Sequence, residues 1–188
     1  MNKTIVIYSS KYGHTKQYAQ WLAAELNADI CDSKSVNVRS LKDYSAIIYG
    51  GSLYAGTNKA ADLLVKHFEQ IKGKKVALFT CGMFDVNSEA NKIEINKGLD
   101  KVITPEIRKQ IRIFHLRGGI DSANLSFMHK MMMKFPYSQI IKKPENERTD
   151  TDRDFLAIYG KTIDFSDKNT LEPIVQYCRE VSTAVSIS

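Results

Sequence analysis

A short polar loop near the N-terminus carries the residues of this chain that are best suited to hold an anion. The sequence SSKYGHT spans residues 9–15 and directly follows the apolar run TIVIY. Serine and threonine hydroxyls beside the backbone N–H groups of a helix N-terminus form a phosphate cradle. A glycine within the loop permits close backbone approach or a positive φ angle. The candidate residues are Ser10, Lys11, Tyr12, Gly13, His14 and Thr15.

The residue spacing in this loop is suited to one phosphate group rather than to a pyrophosphate or a triphosphate. The GxxxxGK[ST] spacing of nucleotide hydrolases is absent, and so is the GxGxxG turn that holds a dinucleotide pyrophosphate. A simpler alternative stays open at this point, in which Thr15 or Ser10 only caps the helix that follows.

Two further loops have the small, polar composition of ligand-binding segments. GGSLYAG includes Tyr54, whose ring could stack on a flat ligand, and TCGM offers backbone N–H groups beside the polarizable Met83. We interpret Cys81 as a small packed residue rather than a group that tunes a cofactor. These loops add the candidates Ser52, Leu53, Tyr54, Ala55, Gly56, Thr80, Cys81, Gly82 and Met83.

The three loops follow strands in a regular alternation of strands and helices. Five short apolar runs predict strands, at residues 3–10, 28–32, 44–56, 74–85 and 110–119. Helical patterns separate them at residues 14–26, 58–71 and 88–103, and Pro105 marks a break near the end of the third. Such alternation predicts a parallel sheet with helices on both faces, whose strand ends meet at one ligand crevice.

A site for one phosphate, an aromatic side chain and a crevice at the sheet edge together predict FMN, bound without a covalent bond. The flavin would carry the redox chemistry, and no side chain stands out as a general acid or base. The four histidines lack ligand spacing, so no metal site is predicted. His14 is expected to be the only histidine in the pocket.

The first loop and helix, YSSKYGHTKQYAQWLAAEL, resemble those of flavodoxins, whose phosphate loop has the pattern [ST]-x-[ST]-G-x-T. Ser10, Gly13 and Thr15 match this pattern, Tyr12 takes the second hydroxyl position and His14 takes the usual place of asparagine. GSLYAG and TCGM resemble the second and third flavin loops. The resemblance implies a flavodoxin-like α/β fold with five parallel strands in the order 2-1-3-4-5 and with bound FMN.

The segment after the fifth strand departs from the simple alternation. We predict a single domain over residues 1–188 with a helical insertion at about 121–150. A short helix is expected within residues 152–165 and a long final helix within 169–185.

The insertion includes the methionine-rich sequence LSFMHKMMMKF. We expect its large apolar side chains to lie in the core more often than on a docking face, with some of the methionines buried and the lysines exposed. The residues concerned are Met131, Met132, Met133 and Phe135. The flanking lysines leave peripheral membrane contact through residues 124–143 open.

The insertion gives a second resemblance, to the flavodoxin-type protoporphyrinogen dehydrogenases that pass electrons to menaquinone. Simple carrier flavodoxins are acidic and lack such a segment. The resemblance implies an oxidoreductase that takes electrons from a protoporphyrinogen-like organic donor and reduces a quinone. The alternative is a non-enzymatic carrier that shuttles electrons between redox partner proteins, because the chain is small and lacks an NAD(P)H motif.

The composition is that of a globular protein and restricts the class of partner. Hydrophobic residues make up 43% and charged residues 26%, and no apolar run reaches the length of a spanning helix. Three widely spaced cysteines fit a reducing compartment, so we expect a cytoplasmic protein, with membrane-surface contact as a further option. The net charge of +6 comes without a nucleic-acid motif, so no nucleic-acid partner is predicted.

Overall fold

The computed structural model of the chain describes residues 3–53 and 58–180. Five strands form one parallel sheet in the order β2-β1-β3-β4-β5, which confirms the predicted fold class. The strands are β1 (Thr4–Ser9), β2 (Asp29–Asp32), β3 (Ala46–Ser52), β4 (Lys75–Gly82) and β5 (Arg112–Arg117). Two shorter strands follow, β6 (Gly119–Asp121) and β7 (Thr162–Asp164). The helices are α1 (His14–Leu26), α2 (Lys59–Ile71), α3 (Glu89–Leu99), α4 (Pro105–Arg108), α5 (Phe127–Ile140), α6 (Asp150–Ile158) and α7 (Glu172–Arg179).

Helices cover both faces of the sheet, and each face has its own apolar core. One core packs α2, α3 and α4 against the sheet through residues such as Leu64, Ile71 and Leu99. The other packs α1 and α7 through Tyr18 and Ile174. Because the inner strands are buried on both sides, they are almost continuously apolar, as the sequence predicted.

The antiparallel pair of β6 and β7 was not predicted. The prediction of a short helix within residues 152–165 is wrong at the C-terminal end, because α6 stops at Ile158. Gly160 follows with a φ of 74°, a backbone conformation that ends helices. Residues 162–164 then pair with β6 instead of continuing the helix.

Two other predicted boundaries differ from the structure. α3 ends at Leu99, and Pro105 begins α4 rather than marking a break near the end of α3. Thr104 caps α4 by accepting a hydrogen bond from the Ile107 N–H, and proline is well tolerated at the first helical position.

The final helix is shorter than the predicted span of residues 169–185. A 3-10 turn at Lys168–Leu171 precedes α7, which begins at Glu172. The last five residues of the predicted span lie outside the described residues.

The insertion forms α5, and the expectation that its methionine-rich segment lies in the core is wrong for three residues. Met131, Met132 and Phe135 are 51%, 42% and 70% exposed. The helix is instead buried at His129 and Ile140, which lie on the opposite face. None of the described helices combines the length and the apolar composition needed to cross a lipid bilayer.

Candidate functional site

The N-terminus of α1 has no side-chain cap. Gly13 takes the N-cap position with a φ of 101°, a conformation that favours glycine. Ser10 Oγ accepts a hydrogen bond from the Gly13 N–H at 3.1 Å, which shapes the loop but caps none of the helical N–H groups. The alternative that Ser10 or Thr15 only caps the helix therefore does not hold. The free N–H groups and the helix dipole make this end of α1 suited to an anion.

A cavity of about 490 Å³ lies at the carboxyl ends of β1, β3 and β4. Nine of the residues predicted from the sequence line it, namely Ser10, Tyr12, His14, Thr15, Ser52, Leu53, Cys81, Gly82 and Met83. The three loops are thus brought to one place, as the topology predicted. We call this space the loop cavity.

Three of the predicted site residues do not line the loop cavity, and three more cannot be placed. Lys11 and Gly13 belong to the first loop but are not among its lining residues. Thr80 is buried and its hydroxyl lies 2.8 Å from His115 Nδ1, so it faces a different neighbour. Tyr54, Ala55 and Gly56 lie outside the described residues. The stacking role of Tyr54 therefore stays a prediction.

The second and third loops are joined by their backbones. The Leu53 N–H donates to the Cys81 carbonyl at 2.9 Å, and the Gly118 N–H donates to the Gly82 carbonyl at 2.6 Å. These bonds extend the pairing of β3, β4 and β5 to the edge of the loop cavity. They fix the backbone where a ligand would meet it.

Cys81 is 4% exposed and also lines the loop cavity, so its interpretation as a packed residue rather than a cofactor-tuning group stays a prediction. Burial raises the pKa of its thiol to about 12, and a hydrogen bond with Thr15 only partly offsets that effect. The thiol is therefore protonated at neutral pH and is a poor nucleophile. Its contact with Thr15 links the third loop to the first.

The β6–β7 pair packs against the first loop at His14. A Cβ atom on Gly119 would lie 2.3 Å from the Ile163 carbonyl oxygen, so only glycine permits this approach. The pair brings Asp164 Oδ1 and Ser166 Oγ each to 3.3 Å from His14 Nδ1. His14 is held in place between the loop cavity and this small sheet.

Arg117 donates a hydrogen bond to the backbone of the third loop. It was not among the site residues predicted from the sequence. Its Nε donates to the Met83 carbonyl at 3.3 Å, and its guanidinium lies 3.9 Å from the centre of the Phe165 ring. A cation held over an aromatic face in this way is well oriented. The available signal was a basic residue directly before the Gly-Gly pair that follows β5.

The insertion and its neighbours supply a second, apolar wall of the loop cavity. Ile95 of α3, Met133 of α5 and Phe155 of α6 all line it. His129 of α5 lines it as well, so the expectation that His14 is the only histidine in the pocket is wrong. The sequence could not place α5 because nothing in its pattern specifies where an insertion folds back.

No cluster of three or more His, Cys, Asp or Glu side chains with metal-binding geometry occurs within residues 3–53 and 58–180.

The chain resembles known proteins along most of its length. The family model described as "Flavodoxin domain" matches residues 5–151.

Two curated relatives are both described as protoporphyrinogen IX dehydrogenase [quinone]. The protein from Leishmania major is 24% identical over 162 residues, covering 82% of this chain and 68% of that protein. The protein from Escherichia coli K12 is 21% identical over 182 residues, covering 90% of this chain and 99% of that protein.

Solved structures give similar matches. A flavodoxin from the domain Archaea aligns with 95% of this chain and 99% of its own, at 16% identity and a TM-score of 0.44. A WrbA-like flavodoxin from Agrobacterium tumefaciens aligns with 54% of this chain and 71% of its own, at 23% identity and a TM-score of 0.43.

Proposed function

Since this chain belongs to the flavodoxin domain family, we propose that it is an FMN-dependent oxidoreductase that passes electrons from an organic donor to a quinone. FMN is its cofactor, and its redox role follows from the family. The finer proposal names a protoporphyrinogen-like compound as the donor. It is supported by the similarity to two protoporphyrinogen IX dehydrogenases, one of which matches over nearly its whole length.

The observation that carries the proposal is that one cavity joins an uncapped helix N-terminus to apolar walls. The backbone of residues 10–15, with the hydroxyls of Ser10, Tyr12 and Thr15, would hold the phosphate. Residues 52–53 and 81–83 would flank the flavin ring. When bound, the flavin supplies the electron-transfer chemistry, and the protein supplies position and electrostatics.

Hydrogen bonds within the protein hold the second and third loops in position. Arg117 fixes the Met83 carbonyl, and the backbone bond from Leu53 to Cys81 joins the second loop to the third. The apolar side chains of Ile95 and Phe155 line the same space and would reduce its contact with water once the flavin is bound. A low-dielectric, preorganised site of this kind suits the transfer of electrons to and from a flat, apolar substrate.

We also propose that residues 124–143 contact an anionic membrane surface, where a lipid-soluble quinone would be found. The outer face of α5 exposes Phe127, Met128 and Phe135 by 80%, 69% and 70%. Lys130 and Lys134 lie exposed among them. An apolar face bordered by lysines is typical of helices that lie in the plane of a membrane surface.

A turnover assay on the FMN-loaded protein tests both proposals. We expect oxidation of protoporphyrinogen with either a water-soluble short-chain quinone or a long-chain quinone in vesicles that contain an anionic phospholipid. The double variant Lys130→Glu/Lys134→Glu should keep the first rate and lose most of the second. The reason is that each lysine near such a surface contributes about 1 kcal/mol of binding.

The outcomes separate the alternatives. A protein that shows no turnover but accumulates a stable semiquinone on stepwise reduction would be a carrier between redox partner proteins. Equal rates of the parent and the double variant with the vesicle-bound quinone would remove the membrane contact and leave the oxidoreductase proposal intact.

A further inference from the structure

His129 connects the insertion to the phosphate loop, although 118 positions separate it from Lys11. Its side chain is 3% exposed. Lys11 Nζ lies 2.9 Å from His129 Nε2, and the hydroxyl of Tyr12 contacts His129 Nδ1. The rings of Tyr12 and His129 also meet edge to face, with their centres 5.4 Å apart. Two consecutive residues of the loop are therefore held by one side chain of α5.

The chemistry of these contacts fixes the state of the imidazole. A lysine ammonium can only donate, so Nε2 must accept and cannot carry a proton. The ring proton then resides on Nδ1, which donates to the hydroxyl of Tyr12 or to Ser126 Oγ at 2.9 Å. Burial, reinforced by the Lys11 charge, lowers the pKa of His129, in agreement with a neutral ring.

We propose that His129 is a positioning residue that couples the phosphate loop to the seating of α5. This inference rests on the proposed function, because the ligand it concerns is the phosphomonoester end of the cofactor. A phosphate bound at residues 10–15 stabilises the loop conformation that Lys11 and Tyr12 need in order to reach His129. By linkage, the factor by which bound phosphate stabilises the packing of α5 through His129 equals the factor by which that packing strengthens phosphate binding.

The coupling has a functional consequence because α5 also forms the apolar wall. Met133 lines the loop cavity one helical turn after His129. When the phosphate site is filled, the wall that a second ligand would meet is held in place. Binding of the cofactor phosphate would therefore further stabilise α5 in the position where it lines the loop cavity.

Affinity measurements with FMN and riboflavin test this inference, because riboflavin lacks only the phosphate. We expect His129→Ala to weaken FMN binding about tenfold, within the usual range of coupling between two sites, and riboflavin binding less than about twofold. His129→Gln places an amide oxygen near the Nε2 position and keeps an acceptor for Lys11, so it should recover part of the FMN affinity. Gln139→Ala, at an exposed position of the same helix, is the matched control and should bind both ligands as the parent does.

Hydrogen exchange of the apoprotein provides a readout that needs no ligand. We expect faster exchange in residues 9–15 of His129→Ala than in Gln139→Ala. In the parent, FMN should slow exchange in residues 127–140, and this protection should shrink in His129→Ala.

The two proposals fail in different ways. Failure of the parent to bind FMN at all would overturn the proposed function. The coupling would be overturned if exchange in residues 9–15 were the same in His129→Ala and Gln139→Ala. An equal loss of FMN and riboflavin affinity would also overturn it, because the effect would then not act through the phosphate.

Discussion

Replacing Asn58 by alanine is expected to lower the free energy of unfolding by about 2–4 kcal/mol. Asn58 is 3% exposed, and its Oδ1 accepts hydrogen bonds from the N–H groups of Ala60 and Ala61, both at 3.0 Å. Its Nδ2 donates to the Gly51 carbonyl at 3.1 Å. The alanine variant would lose the cap of α2 and the hydrogen bond that ties it to the Gly51 carbonyl at the end of β3. Both effects act at Gly51 and Asn58, on either side of residues 52–57.

Urea denaturation followed by circular dichroism measures this change, and Asn37→Ala is the matched control. Asn37 also accepts a hydrogen bond at the start of a helical turn, from the Arg39 N–H, but its side chain is exposed. We expect the control to cost less than about 1 kcal/mol. Similar midpoints for the two variants would show that Asn58 does not anchor the end of the second loop.

Replacing Thr15 by valine is expected to weaken FMN binding by about 10-fold to 100-fold. Valine has nearly the shape of threonine, so the substitution removes the hydroxyl and little else. Thr15 is 2% exposed, lines the loop cavity and lies in the first turn of the uncapped helix. A hydrogen bond to a charged phosphate is stronger than one between neutral groups, which is why the loss should exceed that of an ordinary hydroxyl.

Titration of the apoproteins with FMN measures this loss, and Thr80→Val serves as the control. Thr80 is equally buried, but its hydroxyl bonds to His115 and it does not line the loop cavity. We therefore expect Thr80→Val to affect stability more than FMN affinity. If both variants bound FMN as tightly as the parent, Thr15 would have no part in the phosphate site.

The sheet and the three loops could be predicted because their information is local. The first loop shows this best, since Ser10, Gly13 and Thr15 are close in sequence and follow a strand. A helix that begins at residue 14 and a strand that ends at residue 9 leave few ways to arrange the loop. The convergence of the loops then follows from the parallel topology alone.

The contacts that were missed join residues far apart in the sequence. His129 and Arg117 act on the first and third loops, but nothing in the sequence around either residue specifies its partner. The β6–β7 pair is similar, because a strand of three residues carries too little periodicity to be recognised. Such features depend on how the insertion packs, which is decided by the whole fold.

The methionine-rich helix shows a different limit. Met131, Met132 and Met133 are consecutive, so they cannot all lie on one face of a helix. The structure places Met133 against the loop cavity and exposes Met131. Apolar composition alone therefore did not reveal which side of the helix faces the domain.

The identity of the bound flavin is the most direct test of the central claim. The purified protein, reconstituted with an equimolar mixture of FMN and FAD and then freed of unbound flavin, would be denatured and the released flavin identified by chromatography. We expect FMN in a one-to-one ratio to protein and little FAD, because the first loop provides for a single phosphate. FAD released in equimolar amount, or no flavin retained even with excess FMN, would contradict an FMN site at residues 10–15.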